Sequence, residues 1–232
     1  MRQIFLDTET TGLSPEGGDR IIEIGCVELI ARKLTGNNKH FYLNPERESH
    51  EAAFKVHGIS DEFLKDKPRF GVIAAELLAY LQGAEIIIHN APFDTGFLNK
   101  ELEICGQKPI ASHVSKITDS LMMAKELYPG KRNSLDALCD RLEVDNSGRT
   151  LHGALLDAEL LAEVYINLTR GQNSLMMDAG TDPGNADTAP AIDLSQFVLP
   201  LLAANDDEMA DHEKILADID KASKGKTVWR VA

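Results

Sequence analysis

Residues 2–12 read RQIFLDTETTG and contain the signal that decides the fold. The apolar run at residues 2–6 predicts a strand, and the Gly-, Ser- and Pro-rich stretch after residue 11 predicts a loop. Because side chains alternate between the faces of a strand, Asp7 and Glu9 at its C-terminal end can point the same way. Two neighbouring anions need a cation, although an isolated Asp-x-Glu pair is more often a solvated strand end.

The sequence pattern of residues 13–170 predicts an antiparallel meander followed by alternating strands and helices. Pro92 in the first turn of one helix and apolar residues at helical spacing in the others support the assignment. This order predicts an α/β fold, a mixed sheet flanked by helices. Strands are expected at residues 21–27, 40–43, 85–89 and 114–118, and helices at residues 70–81, 90–102, 119–127, 134–142 and 154–168.

Length and composition limit the class of protein. A chain of 232 residues with 43% hydrophobic and 26% charged residues is typical of one soluble domain with an appendage. Its apolar runs are far shorter than the roughly 18 residues that span a bilayer, and Asp7 and Glu9 interrupt any N-terminal signal region. Three widely spaced cysteines indicate neither disulfides nor a zinc cluster. We therefore expect a cytoplasmic protein without a membrane partner.

The net charge of −13 argues against nucleic acid as a partner, because phosphate affinity comes from Lys and Arg. Residues 1–170 contain 26 acids and 19 bases, and residues 171–232 contain 11 acids and 5 bases. A body of this charge that handles nucleic acid needs bound cations or a partner protein. Lys131 and Arg132 are candidates for phosphate contact, with a solvated turn as the alternative.

The composition changes after residue 170. Residues 171–195 are predicted to be a flexible linker, since residues 178–195 contain no Lys or Arg and little that could form a core. Residues 196–232 combine an apolar patch at 197–202 with helical spacing over 206–222, which predicts a segment that docks on a partner. The alternative is a tail helix that packs on its own domain.

Two further acids occur in positions that matter for chemistry. Asp94 lies in the first turn of the helix that follows strand 85–89, where an acid is also favourable for purely structural reasons. Asp157 lies among leucines, where a buried charge is costly unless it is paired or bound to metal. His152 precedes it by five residues, and Gly153 places the histidine on the loop before the helix.

Three motifs together resemble those of a known enzyme family. They are DTETTG at residues 7–12, HNAPFD at residues 89–94 and HGALLD at residues 152–157. In this order they resemble the exonuclease motifs of the DEDD superfamily in its histidine-bearing branch. Within that branch the chain is similar to the family of proofreading subunits of bacterial replicative DNA polymerases, over about residues 3–177.

The resemblance implies an RNase H-like fold and phosphodiester hydrolysis at a 3′ end with two divalent cations, Mg²⁺ or Mn²⁺. His152 is the implied general base, because an imidazole with a pKa of about 6.5 accepts a proton near neutral pH. His57 is an implied substrate-binding residue, with a structural hydrogen bond as the alternative. The implied metal ligands are Asp7, Glu9, Asp94 and Asp157, with Asp7 shared by both cations, and the other implied substrate-binding residues are Thr8, Thr10 and Thr11.

The implied function is a 3′→5′ exonuclease that removes mispaired nucleotides from DNA as the proofreading subunit of the polymerase. Expected partners are a single-stranded or frayed DNA 3′ end, the polymerase catalytic subunit through residues 196–232 and, as a further candidate, a small accessory subunit. Residues 172–177, QNSLMM, resemble the motif by which bacterial replication proteins bind the sliding clamp, with Met where an aromatic residue is common. A fraying helix end is the alternative for this segment.

Two other functions are compatible with part of this sequence. A free-standing exonuclease that trims RNA could use the same carboxylates, but a linker and docking segment would serve it no obvious purpose. A purely structural subunit is disfavoured by the complete set of four acids and one histidine.

Overall fold

The computed structural model describes residues 2–148, 151–170 and 204–223. The chain divides into two units, residues 1–180 and 181–232. The first unit is built on one sheet with strand order β3-β2-β1-β5-β6, and β4 also pairs with β2. The strands are β1 (Arg2–Thr10), β2 (Ile21–Ile30), β3 (Lys33–Leu34), β4 (Lys39–Tyr42), β5 (Glu85–Ile88) and β6 (Lys116–Asp119).

The sheet is mixed, as predicted. Strand β2 runs antiparallel to β1, β3 and β4, whereas β5 runs parallel to both β1 and β6. Within residues 2–148 and 151–170, seven helices accompany the sheet, together with a 3₁₀ turn at Ile110–Ser112. They are α1 (Glu51–His57), α2 (Asp61–Leu64), α3 (Phe70–Leu81), α4 (Ala91–Ile104), α5 (Ser120–Leu127), α6 (Leu135–Leu142) and α7 (Ala154–Leu168).

Alternation along β1 divides the core into two layers. Ile4 and Leu6 belong to the cluster that contains the apolar faces of α3 and α4. Phe5 belongs to the cluster that contains those of α6 and α7. The central strand is therefore covered on both faces, and its carboxyl end lies between the two helical layers.

Strand β1 is longer than its apolar run predicts. It continues to Thr10, because β2 pairs with it from Arg2↔Ile30 to Thr10↔Ile21, with one irregularity between Glu9 and Thr10. The ladder hydrogen bonds stabilise strand structure in a segment whose side chains are polar. Asp7 and Glu9 therefore lie on the strand near its C-terminal end, as the sequence predicts.

The second unit contains α8 (Asp206–Ser223), which agrees with the helix expected at 206–222. Met209, Ile215 and Ile219 are exposed on it. The predicted linker at 171–195, its clamp motif at 172–177, and residues 196–203 and 224–232 of the docking segment lie outside the described residues. Among the helices that are described, none is long and apolar enough to span a bilayer.

Gly25 allows α7 to approach the sheet closely. It lies on β2 opposite Asp7, and a Cβ atom at this position would be 2.2 Å from the carbonyl carbon of Ala154 and 2.3 Å from the amide nitrogen of Leu155. Both are backbone atoms in the first turn of α7, which cannot rotate away. A glycine here therefore sets the distance between the strand of Asp7 and the helix of Asp157.

We predict that Gly25→Ala destabilises the protein by about 1–3 kcal/mol, because the added methyl group forces α7 away from the sheet. Without this close contact, alanine would be more stable than glycine in a strand. A decrease in the free energy of unfolding therefore points to the contact with α7. Denaturant unfolding measures the effect. Gly148→Ala is the matched control, since a Cβ there meets nothing within 4 Å. Equal stability of both variants would contradict the close-approach argument.

Candidate active site

The carboxyl ends of β1 and β5 bring two of the three motifs to one edge of the sheet. Asp7 and Glu9 lie on β1, and β5 is its parallel neighbour. After β5 the chain turns through Asn90, whose φ of 71° is left-handed, and enters α4. This turn brings Asp94 in the first turn of α4 to the same edge as the acids of β1.

Asp94 is held by a neighbour from β1. Its side chain is buried, and the hydroxyl of Thr8 donates a hydrogen bond of 2.8 Å to its Oδ1 atom. Burial raises the pKa of Asp94 to about 7, although the Thr8 hydrogen bond opposes the shift. Thr8 thus fixes the orientation of a carboxylate that the surrounding protein leaves poorly solvated.

Glu9, His152 and Asp157 form the most compact group of the site. Each offers one donor atom, and these atoms lie within 4.8 Å of one another. His152 Nδ1 is 3.2 Å from Asp157 Oδ2. Burial raises the pKa of Glu9 to about 8, the charge of His152 lowers it, and the charges of Asp157, Glu23 and Asp94 raise it further. Asp157, Glu23 and Asp94 are therefore close enough to influence the ionisation of Glu9.

Local structure explains the positions of His152 and Asp157. Helix α7 begins at Ala154 with Gly153 as its N-cap, so His152 is on the preceding loop, as its spacing from Asp157 predicts. The His152 amide donates to the Val56 carbonyl at 3.1 Å, which ties this loop to α1. Asp157 is buried in the first turn of α7, where the helix dipole favours a negative charge.

Asp7 completes the site from the middle of the sheet edge. It is half-buried and lines a pocket of about 290 Å³ together with His152 and Asp157. The structure therefore brings together all five residues that the motifs predict as catalytic. Glu9, His152 and Asp157 are grouped directly, Asp7 shares their pocket, and Asp94 reaches Glu9 through its charge.

The donor set fits divalent cations. Carboxylate oxygens are the hard ligands that Mg²⁺ and Mn²⁺ prefer, and imidazole is a common additional ligand of transition metals. Burial of the acids disfavours their ionised forms, as the raised pKa values of Glu9 and Asp94 indicate. A cation beside these carboxylates would offset that cost, so the fit rests on the chemistry of the residues themselves.

The hydroxyl groups of the predicted substrate-binding threonines are engaged within the protein. Thr8 donates to Asp94, Thr10 donates to the Gly12 carbonyl at 2.6 Å, and Thr11 donates to Asp19 Oδ1 at 3.3 Å. All three residues are buried. Substrate binding by Thr8, Thr10 and Thr11 stays a prediction. Because their hydroxyl groups are engaged, their backbone atoms are the better candidates for contact with substrate.

His57 is buried at the end of α1, and its Nδ1 atom accepts the Ile59 amide at 2.9 Å. This bond places the proton of the neutral ring on Nε2, which has no hydrogen-bond partner among the described residues. The structural hydrogen bond considered as the alternative is therefore present. It leaves one nitrogen available, so substrate binding by His57 also stays a prediction.

Several residues of the site were not singled out by their sequence pattern. Glu23 is buried directly opposite Glu9 across the β1/β2 ladder and contacts His40 Nε2 at 2.6 Å. His89 was expected only to end a strand, but it lies in the turn after β5 and lines the pocket of Asp7. The sequence feature that points to His89 is its position directly after β5, whose carboxyl end lies at the edge of the sheet that carries the acids. The remaining lining residues are Asn90, Ser134, Leu135 and Asp136.

A second pocket adjoins the segment that follows β1. It has a volume of about 520 Å³ and includes Leu13, which is 83% exposed. Most of its accessible lining is apolar. The other lining residues are Gly12, Ser14, Asp19, His50, Ala52, Ala53 and Val56.

Comparison with known proteins shows the family of the chain. The family model described as "Exonuclease" matches residues 4–165. The DNA polymerase III subunit epsilon of Pasteurella multocida is 50% identical to the chain, over 98% of this chain and 93% of that protein. The protein of the same name from Escherichia coli K12 is 49% identical, over 99% of this chain and 97% of that protein.

Solved structures share the fold at lower identity. Exonuclease X in complex with 5′ overhanging duplex DNA has a TM-score of 0.58 and 24% identity, over 74% of this chain and 93% of that chain. Exonuclease I of E. coli, in its zinc-bound complex with single-stranded DNA, has a TM-score of 0.65 and 20% identity, over 77% of this chain and 42% of that chain. The chain belongs to the exonuclease family and, within it, to the family of DNA polymerase III epsilon subunits.

Proposed function

We propose that the chain is the proofreading 3′→5′ exonuclease of a bacterial replicative DNA polymerase and removes mispaired nucleotides by metal-dependent hydrolysis. The observation that carries the proposal is the convergence of four carboxylates and one histidine at a single edge of the sheet. The names of the most similar relatives support the place in DNA polymerase III. A bacterial cytoplasmic location follows from that role.

The four acids would hold two divalent cations, Mg²⁺ or Mn²⁺. Asp7 would serve both cations, Glu9 and Asp157 would complete one position, and Asp94 would serve the other. Divalent cations at these residues would supply positive charge that orients the attacking and leaving oxygens and offsets the charge developing on the phosphate. Thr8 keeps Asp94 in place by its hydrogen bond.

His152 acts as the general base. Its Nδ1 atom faces the carboxylate of Asp157. An ionised carboxylate accepts hydrogen bonds and donates none, so the ring proton belongs on Nδ1. Nε2 is then free of its proton and can accept one from the attacking water near neutral pH. Asp157 thereby has two tasks, since it also stabilises the imidazolium that forms.

The 520 Å³ pocket receives the terminal nucleoside. Its lining is mostly apolar and suits a base, and exposed Leu13 can contact a base face. The pocket begins at Gly12, three residues after Glu9, so a nucleoside there has its phosphate near the carboxylates. The remaining partners are the polymerase catalytic subunit, bound by residues 196–232, the sliding clamp, bound by residues 172–177, and a small accessory subunit.

We predict that chelation abolishes release of nucleotides from a single-stranded DNA 3′ end and that Mg²⁺ or Mn²⁺ restores it. Asp7→Asn should remain inactive after metal addition, because a neutral amide cannot serve two cations. Gel analysis of a 5′-labelled oligonucleotide measures both effects. Exposed Asp140 on α6 offers the matched control, Asp140→Asn. Full activity in excess chelator would refute the metal-dependent mechanism.

We predict that His152→Ala lowers kcat by about 10²–10⁴-fold while Mn²⁺ affinity changes little, as expected for a base that is not a ligand. Single-turnover kinetics and calorimetry measure the two quantities. His212→Ala on α8 is the control. Loss of Mn²⁺ affinity would instead assign His152 to the ligand set, which its distance from Glu9 and Asp157 also permits.

We predict that the double variant Gln172→Ala, Leu175→Ala loses affinity for the sliding clamp and keeps its nuclease rate on a free oligonucleotide. Binding should be weak even in the wild type, because flexible Met fills a cleft less rigidly than an aromatic side chain. It gains importance when the polymerase raises the local concentration. Surface plasmon resonance on immobilised clamp compares this variant with Asn173→Ala, Ser174→Ala. Equal affinity of the two double variants would reject the motif.

A further inference from the structure

The turn between α5 and α6, residues 129–133, has a fixed backbone. Arg141 donates to Asn133 Oδ1 at 3.0 Å and to the Arg132 carbonyl at 2.7 Å. Its guanidinium also lies 4.6 Å from the ring centre of Tyr128. The Tyr128 carbonyl accepts the Lys131 amide at 3.2 Å and the Asn133 side-chain amide at 3.2 Å. These contacts brace the backbone of the turn from both of its ends.

This fixed turn presents two cations. Lys131 and Arg132 are exposed, and neither forms an ion pair with any acid in the described part of the chain. By contrast, Lys39, Lys55 and Lys100 pair with glutamates. In a chain with a net charge of −13, two adjacent cations without an acid partner among the described residues create a local positive field.

The turn leads directly into the catalytic pocket. Ser134, Leu135 and Asp136 follow it in the chain and line the 290 Å³ pocket together with Asp7 and His152. Lys131 and Arg132 are the cations closest to this wall along the chain.

We propose that the 129–133 turn binds backbone phosphate of the DNA strand on the 5′ side of the scissile bond, through Lys131 and Arg132. This inference rests on the proposed function. If the terminal nucleoside occupies the 520 Å³ pocket, which different elements line, the rest of the strand leaves the catalytic carboxylates past the 290 Å³ pocket. The braces from Arg141 and Tyr128 reduce the conformational cost of placing both cations.

The test measures the kinetics of the wild type and of the double variant Lys131→Ala, Arg132→Ala on two substrates. One is a single-stranded thymidine decanucleotide, and the other is the p-nitrophenyl ester of thymidine 5′-monophosphate, which has no phosphate on the 5′ side. We expect KM for the decanucleotide to rise about tenfold with kcat unchanged, and the ester kinetics to match the wild type. The slope of log(kcat/KM) against log[salt] should fall by about 0.7 for each lost phosphate contact.

The double variant Lys33→Ala, Lys108→Ala is the matched control, because both lysines are exposed and the charge change is the same. An unchanged KM and salt slope for the decanucleotide in the test variant would overturn the proposal. A wild type inactive on both substrates would instead contradict the proposed function. Fluorescence anisotropy of a labelled decanucleotide then still decides the inference, since weaker binding by the test variant alone supports it and equal binding by both variants rejects it.

Discussion

The burial of Glu9, Asp94 and Asp157 in one corner of the sheet is a cost that the rest of the structure has to offset. Loss of water raises the pKa of Glu9, and the charges of Asp157 and Asp94 raise it further. Each ionised carboxylate costs several kcal/mol to remove from water. Between about pH 4.5 and pH 8 the folded protein keeps a proton on Glu9 that the unfolded chain has lost, so without bound cation stability falls as the pH rises through this range. Divalent cations that replace the proton couple metal binding to folding.

The apolar core holds these charges together. Strand β1 lies between antiparallel β2 and parallel β5, and its alternate side chains enter two separate clusters. One cluster fixes α4 with Asp94, and the other fixes α7 with Asp157. Since Gly25 admits the backbone of α7 to van der Waals contact with β2, the spacing of the carboxylates is set by packing and not by the acids.

Local signals in the sequence predicted much of this arrangement. The helix expected at residues 154–168 has those bounds, and His152 is on the loop where its spacing from Asp157 places it. The pairing of Glu9 with Glu23, the Thr8 hydrogen bond to Asp94 and the place of His89 in the pocket could not be predicted. Each depends on strand register or on contacts between distant segments, which periodicity does not encode. The extension of β1 to Thr10 has the same cause, because its hydrogen bonds come from β2.

The acidic surface has a consequence for how the proposed exonuclease meets its substrate. General affinity for nucleic acid requires many cations, and a body with 26 acids and 19 bases within residues 1–170 cannot supply them. Attraction must then be local, from divalent cations at the carboxylates and from the two cations of the 129–133 turn. Such a site acts on a 3′ end that is brought to it and competes poorly for DNA in bulk solution. In the proposed function, residues 196–232 attach the exonuclease to the polymerase, and such a tether would raise the local concentration of that 3′ end. The acidic body and the proposed docking segment would then be complementary parts of one mechanism.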